Sequence, residues 1–182
     1  MKRIKSLLKK LLLLLGIKRK TEVEKWRSRG VRVGKNTDFY SVNIDGCFPY
    51  LVEIGDNCCI THCTILAHDG STHKALGYSR VGVVIIGDNV FIGLGAIVLC
   101  GVHIGNNVIV GAGTIVSKDI PDNSVVCGSP CRIVGTYDDY IKKNKTLLEN
   151  SYVSDVIFYE KSEKDKLLEV EKLSKNRYGF DK

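Results

Sequence analysis

Four histidines are the residues of this chain whose side chains change charge closest to neutral pH: His62, His68, His73 and His103. An imidazole in that range is suited to general acid–base work. A neutral imidazole is also a good zinc ligand. His68 and His73 lie five residues apart, and His62 or His103 could complete a three-histidine set. The run Cys58-Cys59-Ile60-Thr61-His62-Cys63 offers a second zinc reading, or a cysteine nucleophile with a neighbouring base. Which of these chemistries is open depends on the elements that carry the residues.

Those elements repeat every six residues. Ile86, Ile92, Val98, Ile104, Val110 and Val116 fall at one phase, and Gly87, Gly93, Gly105 and Gly111 follow four of them. Four residues after each leading position comes a small or β-branched residue: Val90, Ala96, Val102, Val108, Thr114 and then Ile120. Neither the 3.6 period of a helix nor the 2.0 period of an ordinary strand fits. A hexapeptide period reads as a β-solenoid, in which each coil buries its apolar row only against its neighbours. Upstream, Ile54-Gly55 matches Ile86-Gly87, Ile60 and Leu66 continue the row, and Cys58 and Thr64 take the small position. Val33-Gly34 and Phe39 start an earlier coil. The phase is lost at residues 45–53 and 69–85, which read as loops thrown out from one corner.

The solenoid narrows the chemistry. Cys58, Cys63, Cys100 and Cys127 fall inside repeat strands, where a thiol is a small buried hydrophobe. Seven cysteines are then expected to be reduced, as in a cytosolic protein. The Cys58–Cys63 run has no CxxC pair with a matching second half. His62 and His103 fall within hexads and read as surface or strand positions. His68 stands apart, in Leu66-Ala67-His68-Asp69-Gly70, where the regular coil breaks into the long loop.

The net charge is +7, and much of it lies at the N-terminus. Lys2, Arg3, Lys5, Lys9, Lys10, Lys18, Arg19 and Lys20 flank the apolar run 11–15. That run falls short of the ~20 apolar residues that span a bilayer, and no small-residue cleavage site marks a signal peptide. Residues 1–30 are expected to form a basic, apolar helical segment. It either contacts the inner membrane surface through residues 1–20 or caps the solenoid end. Basic residues elsewhere are dispersed, without interleaved aromatics, so nucleic acid is not the expected partner. The solenoid is expected over 31–135, and a charged helical extension over 136–182, with helices at 138–149 and 160–174.

The repeat, the His-containing loop, and the tail Ser117-Lys118-Asp119-Ile120-Pro121-Asp122-Asn123-Ser124 … Gly128-Ser129-Pro130-Cys131-Arg132 resemble the acetyl-CoA-dependent hexapeptide-repeat acetyltransferases. The branch that acetylates maltose, nodulation factors and capsular or lipopolysaccharide sugars is the nearest in pattern. Ser129 and Cys131 stand where that family usually has Asn and Ala. The resemblance implies an all-β, left-handed parallel β-helix that assembles as a homotrimer and uses no metal. It implies transfer of an acetyl group from acetyl-CoA to a sugar or glycan hydroxyl, with His68 as general base. By the same resemblance Leu94, Ala112, Ser117, Lys118 and Arg132 match the cofactor positions. Asp38 and Asp45 match the acceptor region, and His73, five residues beyond His68 in the loop, is the competing base or an acceptor contact. What orients His68 is open between Asp69 and a backbone carbonyl.

Three alternatives are carried beside this. Acetylation of an antibiotic hydroxyl uses the same histidine. A zinc solenoid resembling the gamma-type carbonic anhydrases would use the His68/His73 spacing, but leaves the 117–132 tail unexplained. A scaffold without catalysis explains neither the loop histidine nor the tail.

Overall fold

The computed structural model describes residues 20–182. Most of the basic N-terminal segment read from the sequence therefore lies outside the described residues. The described chain divides into two compact units, one ending at Val134 and the other running Gly135–Lys182.

The first unit is a parallel β-helix with three faces. One face stacks Arg32–Val33, Val52–Ile54, Val84–Ile86 and His103–Ile104. A second stacks Asp38–Tyr40, Cys59–Thr61, Phe91–Ile92, Val108–Val110 and Ser124–Cys127, and the strand that begins at Arg132 adds to its edge. A third stacks Asn43–Ile44, Thr64–Ile65, Ile97–Val98 and Ile115–Val116. Strands pair in parallel from coil to coil, so that Ile54 lies beside Ile86, Ile60 beside Ile92 and Ile65 beside Val98. Strands of two to four residues form because β-branched side chains favour extended backbone and alternate in and out. The inward residues are aliphatic columns: Ile54, Ile86 and Ile104 on one face, Ile60, Ile92 and Val110 on the next, and Ile65, Val98 and Val116 on the third, all buried. Each contributes about 1.5–3 kcal/mol of burial.

The hexad is not uniform. In the later coils Gly93-Leu94-Gly95 and Gly111-Ala112-Gly113 turn the corner between the second and third faces, with Gly95 and Gly113 left-handed. In the two early coils Ser41 and His62 take that left-handed conformation (φ 55° and 42°) and the turn is one residue shorter. The column therefore continues through Ile65, fully buried, and not through Leu66 as the strict phase predicts. The small inward position is Cys63, and Thr64 faces outward.

The corner between the first and second faces is held by a side-chain ladder. Asp56 Oδ1 accepts from the Lys35 N–H (2.6 Å), Asp88 Oδ1 from Asp56 N–H (2.7 Å), Asn106 Oδ1 from Asp88 N–H (2.8 Å) and Asp122 Oδ1 from Asn106 N–H (2.7 Å). The next residue, Asn36, Asn57, Asn89, Asn107 or Asn123, is left-handed in every coil, a conformation asparagine tolerates better than most. A glycine precedes four of these pairs, with Pro121 before the fifth, and it has no room for a side chain: a Cβ on Gly55 would sit 2.7 Å from Gly87 O. Gly55→Ala is expected to cost about 2 kcal/mol or more through backbone displacement. Urea denaturation measures it, and a loss within ~0.5 kcal/mol would show that the corner is not tight.

Helix α1 (Glu22–Arg27) covers the first coil. A capping box of Thr21 and Glu24 starts it, Glu22 accepts the N–H groups of Ser41 and Val42 (2.8 and 2.9 Å), and Trp26 is buried. Two excursions leave from the corner between the third and first faces. The shorter spans 45–51 and ends in a 3₁₀ turn, Pro49–Leu51. In the longer, His68–Asp69 pairs antiparallel with Arg80–Val81 around the short helix α2 (His73–Leu76).

The second unit contains α3 (Tyr137–Glu149), capped by Thr136, and α4 (Glu163–Asn176). It also holds a parallel pair, Tyr152–Ser154 with Gly179–Asp181, that the hydrophobic pattern does not announce. The second helix begins later than the charge run predicts because Ser162 and Asp165 form a capping box there. Lys161 closes this unit by bonding Glu169 (2.8 Å) and Asp181 (3.0 Å).

Candidate active site

The two excursions begin one coil apart on the same corner, and that places Asp45 and His68 together. Asn43–Ile44 stacks on Thr64–Ile65, and the Asp45 N–H donates to Ile65 O (2.9 Å). Asp45 therefore emerges beneath Ala67 and His68. Its side chain is 1% exposed. Oδ1 accepts from the N–H groups of Cys47 (2.9 Å) and Phe48 (3.2 Å). Oδ2 accepts from the Ala67 N–H (3.0 Å) and from His68 Nδ1 in a short hydrogen bond.

Burial pushes the Asp45 carboxyl up, but the bonds from His68, Cys47, Phe48 and Ala67 together outweigh it and hold the group below its ordinary value. An ionised carboxylate fixes the imidazole tautomer: Nδ1 carries the proton, and Nε2 carries the lone pair. The His68 side chain stays 33% exposed, and the Phe48 ring tilts against it at 5.3 Å and 54°. This is a base that is oriented on one side and open to a substrate proton on the other.

Asp45, matched by resemblance to the acceptor region, has its carboxylate committed to the protein itself. It is turned inward to the imidazole, and both oxygens are engaged. Asp69, considered as the orienting group, points elsewhere: it caps the next turn through Ser71 N–H (2.9 Å) and faces Arg80 at 3.7 Å. Phe48 was missed altogether, because it lies where the repeat phase is lost.

The other site residues are distributed as follows. Leu94 (60% exposed) and the exposed Ala112 stand on successive coils at one corner, where the Gly113 N–H donates to Leu94 O (2.8 Å). Ser117, Lys118 and Arg132 are exposed. Burial raises the Cys131 thiol, and Lys118 acts on it in the opposite sense, so the Lys118 turn lies within electrostatic reach of the residue next to Arg132. Asp38 is exposed on the second face, beside Cys59. His73 is exposed at the start of α2. His62 and His103 are exposed on the coil, His62 in a turn.

All seven cysteines are unpaired. Cys58 and Cys63 are buried, as expected of repeat positions, but Cys100 is half-buried in a turn and Cys127 is exposed. Burial pushes the Cys63 thiol up to about 12, which makes it a poor nucleophile. Among the described residues no three His, Cys, Asp or Glu side chains converge to hold a metal, and no helix is long and apolar enough to cross a membrane.

A family model, the hexapeptide repeat of succinyl-transferase, matches residues 83–118. The CapG protein of Staphylococcus aureus is 41% identical over 180 residues, covering 94% of this chain and 100% of its own. The galactoside O-acetyltransferase of Escherichia coli is 34% identical over 139 residues, 74% of this chain and 68% of its own. The chain belongs to the hexapeptide-repeat acetyltransferases. Two solved acetyltransferases have similar folds. A galactoside acetyltransferase in complex with coenzyme A matches with a TM-score of 0.50 at 26% identity, over 74% of this chain and 80% of that one. The polySia-specific acetyltransferase NeuO matches with a TM-score of 0.51 at 26% identity, over 59% and 52%.

Proposed function

We propose that this acetyltransferase moves an acetyl group from acetyl-CoA to a hydroxyl of a sugar or glycan, with His68 as general base and Asp45 as the group that positions it. The observation that carries the reading is the Asp45–His68 pair, buried on its carboxylate side and open on the imidazole side. The similarity to a galactoside O-acetyltransferase and to the polySia-specific enzyme favours a carbohydrate hydroxyl as acceptor.

A sugar hydroxyl is a poor nucleophile until its proton is taken in the transition state. His68 Nε2 takes that proton as the oxygen attacks the thioester carbonyl. The imidazolium that forms is stabilised by the Asp45 carboxylate beneath it. It then returns the proton to the departing coenzyme A thiolate. Backbone N–H groups of the coil hold the carbonyl oxygen as it gains charge.

The donor groove runs past Leu94 and Ala112, whose exposed corner presents backbone to pantetheine. The residues fit: Ser117 and Lys118 follow along the groove, and Arg132 offers a guanidinium suited to phosphate. Asp38 and His73 contact the acceptor. The coil is left-handed, and three copies share the grooves between them. The enzyme works in the cytoplasm. Its segment 1–20, with eight basic residues and no acidic ones, lies on the inner membrane surface.

The test is an acetyl-CoA-dependent screen against monosaccharides, oligosaccharides, nucleotide sugars and hydroxyl-bearing antibiotics, with the product located by NMR. The expected product is an ester on a sugar. An exclusively amide product, or transfer confined to the antibiotics, overturns the reading.

A further inference from the structure

The excursion at 45–51 holds two aromatic rings: Phe48 packs with one side against the core of the coil, and Tyr50 lies beyond it, exposed. Neither belongs to an aliphatic column, yet the backbone that carries them is fixed at several points. Asp45 Oδ1 accepts the Phe48 N–H, the same carboxylate that holds His68. The Leu51 N–H donates to Phe48 O (3.0 Å), closing the turn that Pro49 begins. Pro49 is buried. Gly30 approaches from the segment after α1, so closely that a Cβ there would lie 3.3 Å from Tyr50 Cβ.

On this rigid turn the Phe48 ring stands 5.3 Å from the imidazole, and the Tyr50 ring stands edge-on to Phe48 at 6.2 Å and 63°. Phe48 is half-buried, while Tyr50 is 54% exposed. Phe48 thus neighbours both the imidazole and Tyr50, so the two rings form a contiguous apolar surface beside the base. Binding sites are typically apolar surfaces with a few placed polar groups, and a preorganised wall avoids the entropy of ordering a loop.

Resting on the sugar-acetylation reading, we propose that Phe48 and Tyr50 form the acceptor platform. The apolar C–H face of a pyranose ring lies on Tyr50, and one hydroxyl at the ring edge is thereby presented to His68. The platform selects closed rings over flexible polyols carrying the same hydroxyls, because only a closed ring offers a flat C–H face.

The test compares methyl glycosides of galactose, glucose and N-acetylglucosamine with the corresponding open-chain alditols, in the full-length chain. The unaltered enzyme is expected to favour its best pyranoside by about tenfold in kcat/KM, the scale of one aromatic contact. Tyr50→Ala is expected to raise the pyranoside KM and shrink that preference to within about twofold. Tyr50→Phe, which keeps the ring, restores it. An undiminished preference in Tyr50→Ala, or no preference in the unaltered enzyme, overturns the platform and leaves the sugar reading standing. A matching loss of acetyl-CoA affinity in Tyr50→Ala also overturns it, since the residue would then serve the donor side. Transfer to neither class, with no oligosaccharide or nucleotide sugar accepted in the wider screen, overturns the sugar reading and the platform with it.

Discussion

His68→Ala is expected to lower kcat by about 10²–10⁴-fold, with KM for both substrates within about threefold of the parent. The asymmetry follows from what the imidazole does. It meets the substrate proton only as the oxygen attacks, so its removal strips a transition-state interaction and little ground-state binding. The fold should survive, because the His68 side chain is part-exposed and lies outside the aliphatic columns. Steady-state kinetics with the best acceptor decides the matter, with circular dichroism as the control for folding. Near-wild-type turnover in His68→Ala sinks the assignment of the base.

Asp45→Asn should be nearly as damaging, for a reason that lies in donor and acceptor counting. Four donors converge on the carboxylate, two on each oxygen. An amide offers one acceptor oxygen and one NH₂ group. If its NH₂ faces Cys47 and Phe48, two backbone donors are left opposed and the 45–51 turn loses its anchor. If its NH₂ faces Ala67 and His68, it donates to Nδ1, the imidazole adopts the other tautomer, and Nε2 no longer accepts a proton. The expected result is a kcat loss of about 10²-fold or more, with about 1–3 kcal/mol of lost stability from the unmatched donors. Unlike His68→Ala, this variant should fail on both counts.

The pH dependence separates the two effects. The folded Asp45 carboxyl lies below its ordinary value of 3.8. Its ionic contribution to stability is therefore complete above that value and is lost as pH falls through the lower folded pKa. The stability gap between the parent and Asp45→Asn should be widest near neutrality and close in acid, as read by urea unfolding at several pH values. A kcat within twofold of the parent would remove Asp45 from the chemistry. A gap that does not change with pH would mean that the carboxylate is not the ionised partner of His68.

The coil was legible because its cause is local and repetitive. Ile86, Ile92, Val98, Ile104 and Val110 each face a similar neighbour above and below, and Val116 ends its column on Val98, so periodicity alone places them inside. The step at Ile65 was not legible. It depends on His62 taking a left-handed turn alone, and nothing in the residue type announces that. The Asp45–His68 pair was half legible. His68 marks the end of regular phase, but its partner sits 23 positions back, in a stretch where phase is already lost. Aligning Ile44 with Ile65, both inward on the third face, would have brought Asp45 next to Leu66 and Ala67 and exposed the pairing. Phe48 and Tyr50 had no sequence signal beyond being aromatic in a loop.

The acid–amide ladder and the two excursions occupy different corners of one triangular winding, and that separates duties along the chain. Every few residues the polypeptide passes an edge where substitution threatens the architecture, and then an edge where, outside Asp45 and the turn it anchors, it alters what is presented to solvent. The excursions can lengthen, shorten or change composition without disturbing a single rung at the opposite edge. A lineage with this plan can explore new hydroxyl-bearing partners by rewriting one edge, while the scaffold that aligns them is inherited intact.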